Sequence, residues 1–150
     1  MSSRASSRRS LRRDRRGVTA VEFAFVGGAF IMLMLGVIEC GRYYITVQSV
    51  RLLTGEVARK AITQMNSGIV NGGGCGTLDG PTLVASVIGL TPLLTQANVT
   101  SSVSMSPSTC AASAGGVVSV SVSLSYPFNF IVGFLPSGNL TISDSTSLSF

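Results

Sequence analysis

An uncharged apolar segment near the N-terminus limits what this chain can fold into more than any other feature. It covers 16 residues, from Phe23 to Ile38. Extended back to Val18 it holds 21 residues. As a helix these span about 31 Å, close to the ~30 Å hydrocarbon core of a bilayer. Because backbone groups in lipid must find hydrogen-bond partners within the segment, we predict a transmembrane helix over about 18–38.

The basic charge of the chain is concentrated ahead of this segment. Residues 1–17 hold seven arginines and one acid, Asp14, while the rest of the chain holds four bases and five acids. Arg and Lys beside a span keep that end on the cytoplasmic side, which predicts a single-pass protein with a cytoplasmic N-terminus. A basic arm can also bind nucleic acid, but this one runs directly into the apolar segment, so no nucleic-acid partner is expected.

The composition argues against an enzyme. The chain has no His, which excludes His-ligated metal sites and the usual proton shuttle near neutral pH. Its carboxylates are sparse, since Asp79 and Asp144 are the only ones beyond Glu56. We therefore expect no catalytic residue, no metal site and no cofactor.

Two features inside the predicted span bear on helix–helix contacts. Ala20, Ala24 and Gly28 repeat every four residues on one helix face, where small residues let another helix approach. The alternative is that Ala and Gly are simply common in membrane helices. Glu22 lies one turn inside the span, where a carboxylate is costly but less so than at the centre. It either reaches the cytoplasmic interface or has a functional role.

The residues around Glu22 form a motif. A basic leader ends in Gly17, four uncharged residues follow, and Glu22 and Phe23 open the apolar helix. This arrangement resembles the cleavage site of type IV pilin-like precursors. Within that superfamily the chain is most similar to the TadE-like pseudopilins of tight-adherence (Flp) pilus systems, through residues 17–24 and 38–42.

The resemblance implies a processing step and a function. A membrane-embedded prepilin peptidase would cut between Gly17 and Val18, and Glu22 would become the fifth mature residue. Its carboxylate could then pair with the ammonium freed at Val18. The protein would be a minor pseudopilin, a structural component that helps to assemble an adhesion pilus from the inner membrane, with its C-terminal domain periplasmic. The implied partners are the peptidase, other pilins and pseudopilins, the inner-membrane assembly platform and membrane lipid; pilus association itself stays open.

Two alternatives remain. The chain could be an uncleaved, single-pass anchored periplasmic binding or scaffold module, which cleavage after Gly17 would distinguish from a pseudopilin. It could also be a minor pseudopilin of a type II secretion-like system. General-secretion pilins usually carry Phe at the first mature position, where this chain has Val18.

Beyond the span, the pattern predicts an α+β fold. The helix is expected to continue to about residue 66 with one apolar stripe, formed by Val50, Leu53, Val57, Ala61 and Met65. A Gly-rich loop over 66–80, a short helix from Pro81 to Leu90 and three antiparallel strands near 97–105, 118–124 and 140–150 follow. The predicted domains are a leader over 1–17, a helix over 18–66 and a periplasmic head over 67–150.

Two features of the predicted head concern its stability and contacts. Cys75 and Cys110 lie in loops and can form a disulfide in an oxidising periplasm, which would contribute roughly 3–4 kcal/mol in the chain-entropy model. Residues 126–135 form an apolar connector between two strands. We expect it to cap the core, with contact to the bilayer or to a partner as the alternatives.

Overall fold

The computed structural model describes residues 15–70, 78–106, 117–132 and 140–149. The α+β fold predicted from the sequence is confirmed, with a long N-terminal helix and a small antiparallel sheet. The elements in chain order are helix α1 (Arg15–Val70), helix α2 (Gly80–Val87), 3-10 turns at Ile88–Leu90 and Gln96–Asn98, and strands β1 (Thr100–Ser106), β2 (Ser119–Phe128) and β3 (Leu140–Ser149).

Helix α1 contains one stretch that is long and apolar enough to cross a membrane. Its most apolar window has a mean hydropathy of 2.2, and none of that window is buried within the chain. The chain divides into two compact units between Ile38 and Glu39, where the apolar segment ends. We refer to residues 18–38 as the lipid half of α1 and to residues 39–70 as its head half.

The head half of α1 carries the apolar stripe predicted from the sequence. Val50, Leu53, Val57, Ala61 and Met65 are all buried, with exposed fractions of 0–1%. They pack in one core with residues of α2, of the sheet and of the connecting turns. The stripe is confirmed, because residues three and four apart fall on the same side of a helix.

Two threonines of this half are buried without losing their hydrogen bonds. The hydroxyl of Thr46 donates to the carbonyl of Arg42 at 2.8 Å, and that of Thr54 donates to the carbonyl of Val50 at 2.9 Å. A buried hydroxyl that returns a bond to the previous turn avoids the cost of an unsatisfied polar group. The helix can therefore carry Thr on its packed face.

Helix α2 begins at a side-chain cap. Asp79 is the N-cap, and its carboxylate accepts hydrogen bonds from the backbone N–H and the hydroxyl of Thr82. Pro81 lies in the first turn, where its missing N–H costs nothing. The predicted helix over 81–90 is confirmed, with its last three residues in a 3-10 turn.

The three strands form one antiparallel sheet in the order β1-β2-β3. Along β2, Val120, Val122 and Leu124 are buried, while the serines between them face outward. Ser121 lies between Ser104 of β1 and Ser147 of β3 in the sheet register. The period-two pattern thus sorts hydroxyl side chains to the solvent face and apolar ones to the core.

Three predicted boundaries need correction. The helix runs on to Val70, so the predicted loop does not begin at residue 66; residues 71–77 lie outside the described part. Residues 97–98 belong to a 3-10 turn instead of the first strand. The apolar connector does not begin at residue 126, because β2 continues to Phe128 by pairing with β3.

Candidate functional site

The predicted processing site lies in the first turns of α1. Gly17 is the third residue of the helix, and Val18 follows it with 69% of its surface exposed. The structure leaves the predicted cleavage site accessible; the cleavage itself remains a prediction.

Glu22 and Phe23 are also exposed on this part of α1. Glu22 lies four residues after Val18, so the two share a helix face. Side chains on a helix lean toward its N-terminus, which directs the Glu22 carboxylate back over the turn that contains Val18. This geometry allows the predicted pairing with an ammonium at Val18, in the same chain or in a neighbouring one.

The small residues Ala20, Ala24 and Gly28 form an open strip on the lipid half. All three are exposed, and a Cβ atom added at Gly28 would have no neighbour within 4 Å in the described chain. The strip is therefore available to a helix of another protein. Its use in packing remains a prediction.

An ion pair lies directly after the lipid half, and its role is not evident from the sequence. The side chain of Glu39 is only 3% exposed, and its two carboxylate oxygens accept hydrogen bonds from Arg42 Nη1 at 3.0 and 2.9 Å. The backbone N–H of Ile131 donates to the same carboxylate at 3.3 Å. A buried charge is tolerated when it is paired and hydrogen-bonded in this way.

Aromatic rings surround the pair. The guanidinium of Arg42 lies 5.6 Å from the centre of the Phe128 ring, within the range of a cation–π contact. Phe128 meets Tyr43 edge-on at 5.4 Å and Phe130 at 5.2 Å. We call this group the exit cluster; it consists of Glu39, Arg42, Tyr43, Phe128, Phe130 and the backbone of Ile131.

The exit cluster includes part of the apolar connector predicted over residues 126–135. The expected core packing is confirmed for Phe128, which is 3% exposed, and for Phe130, which packs against the core. Ile131 behaves differently, since 75% of its surface is exposed. The sequence signal for the cluster was the Glu-Arg spacing of three residues in 38–42. This spacing indicates an ion pair within the helix, but it does not indicate which distant residue bonds to that pair.

Other predicted site residues give no further geometry. Cys75 and Cys110 lie outside the described residues, so their predicted disulfide stays a prediction. Cys40 is a free, exposed thiol. Within the described ranges, no three side chains of Cys, Asp or Glu come together as a metal site.

Comparison with known proteins supports the resemblance drawn from the sequence. Residues 17–59 match the family model described as TadE-like protein. No curated protein and no solved structure matches the chain.

The range that matches the family model includes the predicted cleavage motif, the whole lipid half and both α1 residues of the buried ion pair. The TadE-like family is structural and supports a part in a tight-adherence pilus. Over residues 17–59, the chain is therefore similar to the TadE-like family.

Proposed function

We propose that the protein is a minor pseudopilin of a tight-adherence pilus, anchored in the inner membrane and matured by prepilin peptidase after Gly17. The observation that carries the proposal is the family match, because it begins at Gly17 and covers the whole apolar segment. The apolar, exposed lipid half of α1 supports single-pass anchoring. The head, on the periplasmic side, would meet the other pilus components.

In this proposal the leader sets the orientation and its removal makes the protein competent for assembly. The arginines of residues 1–17 keep the leader in the cytoplasm, where the positive-inside rule places such a flank. Cleavage releases them and leaves an ammonium at Val18. Glu22 is one helical turn away and leans toward it.

Pairing between this carboxylate and an ammonium sets the register of adjacent helices. A lone charge in the bilayer is costly, whereas a paired one is tolerated, so registers that leave Glu22 unpaired are disfavoured. The open strip at Ala20, Ala24 and Gly28 allows a neighbouring pilin helix to come close enough for the pair to form. The partners are the peptidase, other pilins and pseudopilins, the inner-membrane assembly platform and lipid.

The N-terminus of the membrane-extracted protein tests the proposal. Mass spectrometry should find a chain that begins at Val18 when the cognate peptidase is present and at Met1 when it is absent. A Met1 start in both strains would favour an uncleaved anchored module. A cut beyond Ile38 would indicate an ordinary secretory signal and would also contradict the proposal.

Substitution of Glu22 tests the pairing step separately. Glu22→Gln should leave membrane insertion intact and reduce processing or the number of assembled pili, because the amide cannot balance the ammonium. Glu56→Gln, in the head half of α1, is the matched control and should leave both unchanged. Normal processing and normal pilus number in Glu22→Gln would contradict the proposed role of the carboxylate.

A further inference from the structure

Ile131 carries an exposed apolar side chain, although its backbone and the preceding residue contact the rest of the head. Three quarters of its surface is exposed, although its backbone N–H is bonded to the buried carboxylate of Glu39. The preceding Phe130 packs against Phe128 and the core. The backbone of Ile131 is therefore bonded to α1 while its side chain stays exposed.

The residue that binds the Ile131 backbone, Glu39, is the first one after the apolar segment of α1. Glu39 follows Ile38 directly, and Ile38 is the last residue of the apolar segment. Because helix side chains lean toward the N-terminus, the Glu39 carboxylate lies toward the membrane end of its own turn. The backbone N–H of Ile131, which donates to this carboxylate, therefore lies beside the first residue that follows the apolar segment.

The chemistry of the surrounding side chains is that of a membrane interface. Tyr43 and Tyr44 are exposed, and aromatic rings with a polar tip are enriched where the hydrocarbon meets the headgroups. Arg42, 40% exposed, can meet lipid phosphate while it stays paired with Glu39. The segment from Asn129 to Val132 contains no charged residue, so its entry into the interface desolvates no charge.

We infer that residues 129–132 form a second membrane contact, in which the Ile131 side chain enters the headgroup region of the bilayer that α1 crosses. The inference rests on the membrane anchoring in the proposed function and deepens it, because it adds lipid contact by the head. A protein partner at Ile131 is the competing occupant, and continuity with the lipid half favours lipid.

The absence of Trp from the chain provides a direct test. Three full-length single-Trp variants, Ile131→Trp, Gln64→Trp and Phe30→Trp, are placed in phosphatidylethanolamine–phosphatidylglycerol vesicles. The vesicles carry lipid brominated either near the headgroup or near the chain end. Gln64 is exposed on α1 about 37 Å beyond Glu39 at 1.5 Å per residue and is the aqueous control. Phe30 is the control for insertion of the span.

We expect severalfold stronger quenching of Ile131→Trp than of Gln64→Trp by the lipid brominated near the headgroup. Phe30→Trp should be quenched most by the lipid brominated near the chain end. If Phe30→Trp is quenched and Ile131→Trp is no more quenched than Gln64→Trp, the lipid contact is wrong while the anchoring stands. If Phe30→Trp is not quenched either, the result contradicts both the proposed membrane anchoring and the proposed lipid contact.

Two further measurements separate lipid from a protein partner and test the tether. If the emission of Ile131→Trp moves to shorter wavelength only when another pilus component is added, without quenching by brominated lipid, the surface binds protein and the inference is overturned. Adding Glu39→Gln to Ile131→Trp should reduce its quenching, because the bond to the Ile131 N–H weakens. Adding Glu56→Gln, which alters the exposed Glu-Arg pair of α1, should leave the quenching unchanged.

Discussion

The two halves of α1 belong to one continuous helix, yet they place their apolar side chains in opposite environments. In the lipid half apolar residues cover all sides and are exposed, as Phe23 at 78% and Leu33 at 65% show. In the head half apolar residues form a stripe that is fully buried, as Leu53 at 1% shows. The same helical geometry therefore suits two environments. An apolar surface on all sides suits lipid, and a one-sided apolar stripe suits packing against a protein core.

The difference has a consequence for how each half tolerates change. The apolar side chains of the lipid half are exposed, so their identity matters for insertion and for contacts with other molecules. Side chains of the head half fill a close-packed core, where loss of a few atoms leaves a cavity. Substitutions of one residue type in the two halves should separate these effects.

The largest difference is expected for leucine. Leu53→Ala removes a fully buried side chain and should lower the free energy of unfolding of the head by about 2–5 kcal/mol. Leu33→Ala removes the same atoms from the lipid half and should change it by no more than about 0.5 kcal/mol. Unfolding of the full-length chain in detergent micelles, followed by circular dichroism, measures both. Equal losses in the two variants would show that the halves are not energetically separate.

The two Glu-Arg pairs of α1 give the second comparison. Glu39→Gln weakens bonds to Arg42 and to the backbone of Ile131 in a buried site and should cost about 1–3 kcal/mol. Glu56→Gln breaks the exposed pair with Arg59, which joins atoms 3.0 Å apart, and should cost about 0.3–0.5 kcal/mol. The same unfolding measurement applies. Raising the salt concentration should reduce the contribution of the Glu56 pair more than that of the Glu39 pair.

Two glycines, one in each half of α1, give the third comparison. A Cβ at Gly28 or Gly55 meets nothing within 4 Å in the described chain. Gly55→Ala should raise head stability by up to about 1 kcal/mol through helix propensity. Gly28→Leu should leave head unfolding unchanged but reduce pilus number, because its bulky side chain would keep another helix from packing closely on the strip. Normal pilus number in Gly28→Leu would show that this strip is not a packing surface.

Local pattern alone was enough to predict most of the elements. The stripe from Val50 to Met65, the short helix from Pro81 to Leu90 and the alternation along β2 all depend on residues a few positions apart. The motif around Gly17 also indicated the TadE-like family, which the match over residues 17–59 bears out. Its predicted cleavage and the role of Glu22 involve other proteins, so a single chain does not test them.

The sequence by itself therefore determined the helix, its change from an all-apolar to a one-sided surface, and the strands. Each of these depends on the spacing of apolar residues within one segment of the chain. Only the tertiary structure decided what Glu39 does. The residue that shares its carboxylate with Arg42 is Ile131, 92 positions away, and no local pattern links them. The same long-range packing placed Phe128 in the core and left Ile131 exposed, although both belong to one apolar run. A run of apolar residues specifies that burial is favourable, whereas the fold specifies which of them the core can reach.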